Sequence, residues 1–425
     1  MTSISFSGLG LADPVLRALN AQNYTTPTPI QAEAIPPLMA GRDLLGIAQT
    51  GTGKTAAFAL PLLHKLAALK SRPAPRTARA LILAPTRELA GQIADSFRLY
   101  GKHLDLSIAV VFGGVRQGPQ IKALARGVDV LIATPGRLMD HLGQGNIRLS
   151  EAKTLVLDEA DRMLDMGFVR DVRKIVRDLP HQRQTVFLSA TMPKEVEKLA
   201  REILGDAVRV EVTPKVVTVA KVEQIVHFVD ASAKRSLLTK MLENPDMARV
   251  IVFTRTKHGA NRVTTFLHKA SIEASAIHGN KSQAARQKAL DGFKSGRLRV
   301  LVATDIAARG IDVADVSHVV NYEIPNEPET YVHRIGRTAR AGAGGVAVSL
   351  CDPSEKGYLV RIDRLTGQTL AGPAPRLGKP QSGNRQNLAS KSGPNSNPNS
   401  PKSRPQTEAG RRRRRSRGAS RRKAA

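Results

Sequence analysis

The sequence predicts an α/β fold: two domains, each built on a parallel sheet, followed by a disordered basic tail. Three observations carry this expectation. Short β-branched runs alternate with helical patterns through the first 370 residues, the pattern of βαβ units. The alternation breaks once, at TPKVVTVAKV (213–222), which has one proline and no helical period. Residues 371–425 are rich in Pro, Ser, Asn, Gly and Arg and hold no aromatic residue, so they cannot bury enough apolar surface to offset chain entropy. The expected divisions are 1–212, a linker at 213–222, 223–370 and the tail, which suits a chain of 425 residues.

In chain order, DLLGIAQTGTGKTAAFALPLL (43–63) reads as a strand, a glycine-bearing loop and a helix. Strands are then expected at LILA (81–84), IAVVF (108–112), VDVLIA (128–133), TLVLD (154–158) and TVFLSA (185–190). After the break come ARVIVF (248–253), EASAIH (273–278), LRVLVA (298–303), HVVNY (318–322) and GVAVSL (345–350). No apolar run approaches the ~18 residues of a membrane span. The opening MTSISFSGLGLADP lacks the pattern of a secretory leader, and a lone Cys351 can form neither an intrachain disulfide nor a cysteine metal site. A cytoplasmic location is expected, with no membrane partner. Net charge is +29, of which +14 falls on the tail, where fifteen Lys and Arg face the single acid Glu408. That balance favours a polyanionic partner, with nucleic acid foremost, and a tail that raises its affinity through counterion release. A solvated charge run that serves only solubility is the plainer reading of the tail.

The loop AQTGTGKT (48–55) fits the phosphate-cradling pattern, with Ala48 in place of its usual first glycine. Gly51 and Gly53 let backbone amides turn toward phosphate oxygens, Lys54 neutralises the β and γ phosphates, and Thr55 holds Mg²⁺. Gln49, Thr50 and Thr52 complete the cradle. Such a site needs a carboxylate from another strand, and LVLDEADRML (155–164) supplies candidates. Asp158 would act on Mg²⁺, partly through water, while Glu159 orients or deprotonates the attacking water. Taken alone, these acids could equally decorate a helix N-terminus, where its dipole favours them.

Asp158-Glu159-Ala160-Asp161 together with AQTGTGKT resembles the DEAD-box RNA helicases of superfamily two, and the resemblance extends over residues 6–365. It implies tandem RecA-like domains, ATP as substrate, Mg²⁺ as cofactor and RNA as partner. YTTPTPIQ (24–31) resembles the adenine-sensing motif: Gln31 would read the adenine edge, Tyr24 would stack on its face, and Phe6 matches the upstream aromatic. Asn23 and Ala339 stand where the family commonly has glycine. Pro85, Thr86 and Arg87, Gly113 and Gly114, and Thr134, Pro135 and Arg137 match RNA-backbone contacts of the first domain. Thr254, Arg255, Gly279, Gln283, Arg286, Thr304 and Asp305 match those of the second. Ser189, Ala190 and Thr191 match the segment that couples hydrolysis to strand separation. By the same resemblance Arg337 and Arg340 are arginine fingers, His333 joins the network near the γ-phosphate, and Asp312 touches the ribose.

Contacts of this kind position a backbone without reading bases. With no Trp and 4% aromatics, base-stacking platforms are not expected. The wording of 113–142 and 164–176, with the basic tail, resembles the bacterial RhlE-type subgroup. Ribosomal precursors and RNA-degradation assemblies are partners such a resemblance suggests. The rival reading is an RNA chaperone or clamp that works through the tail with slow ATP turnover.

Overall fold

The computed structural model describes residues 5–49, 51–69, 71–212, 222–308, 313, 315–339 and 344–370, all within one compact unit, Met1–Ala374. Thr50, Asp312, Arg340, most of the expected linker and the tail lie outside the described residues.

Seven strands form the first sheet: β1 (Asp43–Ala48), β2 (Ala78–Leu83), β3 (Ile108–Val111), β4 (Val128–Ala133), β5 (Thr154–Leu157), β6 (Gln184–Ser189) and β7 (Ala207–Val212). Their order is β3-β4-β2-β5-β6-β1-β7, and every pairing is parallel. The register sets Val156 of β5 beside Ile82 on one side and Val186 on the other. Successive side chains of a strand face opposite ways. Ile82 accordingly packs with Leu63, Ile93 and Phe97, while its neighbour Leu81 packs with Met163, Ile175 and Phe187. Helices cover both faces, which is why β4 and β5 are buried throughout and read as unbroken apolar runs.

The second sheet holds β8 (Val222–Phe228), β9 (Val250–Thr254), β10 (Ala274–Ile277), β11 (Val300–Thr304), β12 (His318–Asn321) and β13 (Gly345–Cys351). Its order is β10-β11-β9-β12-β13-β8, again parallel. Two strands differ from the sequence reading. β7 and β8 lie at sheet edges, where partial exposure allows alternation such as Val208-Arg209-Val210-Glu211 in place of a continuous apolar run. Val222, expected in the linker, begins β8.

Because all strands in a sheet run the same way, the loops leaving their carboxyl ends gather along one edge, where open α/β sheets bind ligands. Motif residues start the helices there. Thr86, Thr256 and Ser282 each accept a backbone N–H, from Leu89, Gly259 and Ala285 at 3.2, 2.9 and 3.2 Å. Two of the glycine replacements occupy left-handed backbone. Asn23 has φ 53°, which asparagine tolerates, and Ala339 has φ 55°, which strains an alanine. Ala339→Gly should therefore stabilise the fold by about 0.5–1 kcal/mol, the strain relieved exceeding the added unfolded-chain entropy. Denaturant unfolding checks this, and a destabilised variant would contradict it.

Candidate active site and nucleic-acid interface

The phosphate loop closes against the adenine-motif segment through hydrogen bonds that need a glycine. Gln31 Nε2 donates to Gly53 O at 3.0 Å and to Tyr24 Oη at 2.6 Å, while its Oε1 accepts from Thr28 N. Thr28 Oγ1 donates to Thr52 O, and Thr52 Oγ1 to Gln49 O, each at 2.8 Å. Gly53 has φ 94°, and a Cβ there would stand 2.3 Å from Gln31 Nε2. Phe6, expected at the ligand, is buried with its ring 5.0 Å from that of Tyr24, so it backs the tyrosine. Lys54 begins the helix Lys54–Ala67 and donates to the Ala48 carbonyl at 2.7 Å. Ala48 thus meets Lys54 through its backbone carbonyl, while its methyl joins the buried core.

The acids after β5 divide into two kinds. Asp158 is buried and its Oδ1 meets no protein partner; burial above all, opposed by Lys54 and assisted by Glu159, pushes its carboxyl up to about 7. Glu159 is also buried with an unpartnered Oε2, and it adopts left-handed backbone at φ 54°, a strain found at functional sites. Asp161 is instead satisfied. Its Oδ2 accepts from Thr191 N at 3.0 Å and Thr191 Oγ1 at 2.9 Å, and its Oδ1 from Arg162 N at 3.0 Å. Ser189 Oγ donates to Thr191 O at 2.6 Å, so the Ser189–Thr191 turn is tied to the acidic helix. The unpartnered oxygen of Asp158 is of the kind that could take a divalent cation.

Helix Pro328–Ile335 brings the second sheet's cations to the first. His333, Arg334 and Arg337 share with Arg162 and Asp305 a void of about 10 Å³, room for a single water. Arg337, as expected, is buried at this junction. Arg334 escaped the sequence reading: its guanidinium spans both Asp305 oxygens at 2.6 and 2.8 Å, donates to Glu323 O at 2.6 Å, and lies 5.1 Å from the Phe253 ring centre. Asp305, expected at RNA, therefore anchors Arg334. An arginine between two other motif cations carries no signal of which one turns inward.

A groove of roughly 460 Å³ joins Pro85, Thr86, Arg87, Gly113, Thr134 and Arg137 to Gly279 and Arg286 of the second sheet. Gly114, with φ 75°, leaves space that Arg87 fills; a Cβ would stand 2.4 Å from its Nη1. The two sides touch directly. Arg286 Nη2 lies 2.9 Å from Glu88 Oε2, and Arg87 Nη1 donates to Gln283 Oε1 at 3.3 Å. Met166 and Phe168 also line this groove, which no sequence pattern suggested. Pro135 starts helix Pro135–Gly143, and Thr304 closes β11, both buried or nearly so. Two expected contacts turn away. Thr254 is fully buried and donates to Thr256 O, while the Arg255 guanidinium points inward to Glu355 at 3.2 Å and Asn326 at 3.3 Å. Its N–H donates to Glu323 Oε2 at 2.6 Å.

Residues 28–199 match the DEAD/DEAH box helicase model, and residues 233–342 match the helicase conserved C-terminal domain. The chain belongs to the DEAD-box helicase family. It is 40% identical over 388 residues to the DEAD-box ATP-dependent RNA helicase CshA of Bacillus cereus, covering 91% of this chain and 73% of that protein. The RhlE-type assignment stays an expectation from sequence wording, since this relative carries the CshA name. Among solved structures, S. cerevisiae Dbp5 bound to RNA and ADP BeF3 is 32% identical with a TM-score of 0.76, covering 85% of this chain and 93% of that one. A variant of Dbp5 bound to Nup159, Gle1, IP6 and ADP, with 32% identity and coverage of 84% and 94%, superposes less well, at 0.59.

The raised Asp158 pKa has a signed consequence for the ligand-free protein. The neutral carboxyl contributes stability that is complete below the ordinary value of 3.8 and is lost as pH rises through about 7. Asp158→Asn, which stays uncharged, should melt a few degrees above wild type near pH ~8, with the gap closing toward pH ~4. Calorimetry checks this; equal gaps at both pH values would contradict it.

Proposed function

We propose that the protein is an ATP-dependent RNA helicase that opens RNA duplexes locally, with ATP and RNA together closing two domains, 1–212 and 223–370, and RNA-stimulated hydrolysis reopening them. The observation that carries the reading is the shared junction of Arg162, which follows the acidic motif, with His333 and Arg337 of the other sheet. ATP would sit with its phosphates in the loop at 49–55 and its adenine against Tyr24 and Gln31. Lys54 leaves the Ala48 carbonyl for the phosphates, Glu159 orients or deprotonates water, and Arg337 offsets charge that develops on the transferred phosphoryl group. Thr55 and Asp158 would hold Mg²⁺, which supplies charge neutralisation at the phosphates.

RNA would lie in the groove of Thr86, Arg87, Gly113, Thr134, Arg137, Gly279 and Arg286 as a backbone ligand. Superposition nearer to the RNA-bound than to the ADP-bound Dbp5 supports reading this arrangement as the closed one. In that state the Asp161–Thr191 bonds link the site of hydrolysis to the turn that follows β6. No helix among the described residues is long and apolar enough to cross a membrane. The basic tail adds sequence-indifferent affinity for RNA.

Steady-state ATP hydrolysis with no nucleic acid, with RNA and with matched DNA tests the reading. RNA alone should stimulate, Lys54→Ala should abolish the response, and Glu159→Gln should lower turnover at least ~100-fold while retaining ATP-dependent RNA binding. Equal stimulation by DNA, or normal turnover in Glu159→Gln, would overturn it. The interdomain pair makes a separate prediction. Arg286→Glu should raise the RNA concentration for half-maximal stimulation about tenfold, and adding Glu88→Arg should recover part of that loss, the coupling expected of a contacting pair. No recovery in the double variant would count against closure through this contact.

A further inference from the structure

We infer that the second domain carries an additional RNA subsite, a pocket of roughly 270 Å³ beside the 254–256 loop, where Arg235 and Arg262 take a backbone phosphate and Tyr322 offers its ring to a base. The inference rests on the RNA reading above and extends it to a surface none of the motifs includes. The pocket adjoins the loop through Gly259, whose Cβ position is 3.1 Å from Thr256 Oγ1 and 3.6 Å from Glu323 Oε2. Glu323 lines the pocket and also holds the Arg255 N–H, so the same side chain touches both the loop and the cavity.

Charge and shape fit one nucleotide. Of the pocket's two acids, Asp352 pairs with buried Lys234 at 3.0 Å, a cation it shares with Glu355, and Glu323 remains to accept from the amino groups of a base. Arg235 and Arg262 are exposed, and among the described residues neither pairs with a carboxylate. Tyr322 is half-buried in the pocket that Arg235, Arg262 and Lys234 also line; Lys234 Nζ lies 6.0 Å from its ring centre, and the Arg235 guanidinium lies 5.7 Å from the Phe266 ring centre. An aromatic ring beside cationic side chains is a common way of holding single-stranded RNA outside a duplex. It also qualifies the expectation from composition: one well-placed aromatic suffices for a platform.

Affinity for oligonucleotides lengthened stepwise from about 6 to about 14 nucleotides, measured on the full chain with a non-hydrolysable ATP analogue, tests this. Wild type should gain about tenfold at one added nucleotide, Arg235→Ala/Arg262→Ala and Tyr322→Leu should lose that gain, and Tyr322→Phe should keep it. Lys240→Ala, exposed on the same helix but outside the pocket, serves as the control for surface charge. Variants that follow the wild-type length curve, or lose affinity equally at every length, would overturn the subsite. Absence of RNA-stimulated hydrolysis in wild type would instead overturn the helicase reading, so the two failures are distinguishable.

Discussion

A buried carboxylate with one oxygen left unpartnered is the constraint on which the rest of this molecule turns. Asp158 ends β5 in the interior, with Oδ1 unmet and Glu159 beside it, and the ionised form is disfavoured until opposite charge arrives. Lys54 is a cation that bears on Asp158, yet its ammonium rests on the Ala48 carbonyl. The fold therefore holds a cation and two acids poised around one space and satisfies neither fully. A phosphate-bound metal would relieve that imbalance, which is why binding at this point can do work elsewhere in the chain.

Parallel sheets give that work a direction. Each βα loop emerges at the same edge, so the phosphate loop, the acids and the Ser189–Thr191 turn become neighbours although they span about a third of the chain. Asp161 converts adjacency into linkage by holding Thr191 through two hydrogen bonds. Across the cleft, Arg334 clamps Asp305 and the Glu323 carbonyl, fixing the helix that presents His333 and Arg337. A second tie, Glu88 to Arg286, joins the two halves where RNA would lie. On the proposed reading, nucleotide and nucleic acid would each find half of their site on either sheet.

Much of this was legible in the sequence because apolar periodicity and glycine placement are local properties. Central strands such as β4 and β5 read directly from unbroken apolar runs, and Gly53 from a loop that no larger residue could close. The edge strands β7 and β8 were not legible, since β7 alternates charge with valine where one face meets water, whereas the edge strands β3 and β10 were expected from their apolar runs. Side-chain direction was the other gap. Arg255 and Asp305 stand in motif positions, yet Glu355 and Arg334 turn them inward, and those partners lie 100 and 29 residues away. Asn23 and Ala339 show the converse: the left-handed backbone persists after glycine is replaced, comfortably for asparagine and under strain for alanine.

If hydrolysis is governed by joining the two halves, their separation must depend on both ligands at once. Single-molecule energy transfer between one dye on an exposed residue of each domain measures this directly, with RNA alone, a non-hydrolysable ATP analogue alone, and the two together. The account predicts a short, narrow distance distribution only when both are present, and its loss in Arg286→Glu. A short distance with either ligand alone, or no change with both, would contradict the central claim.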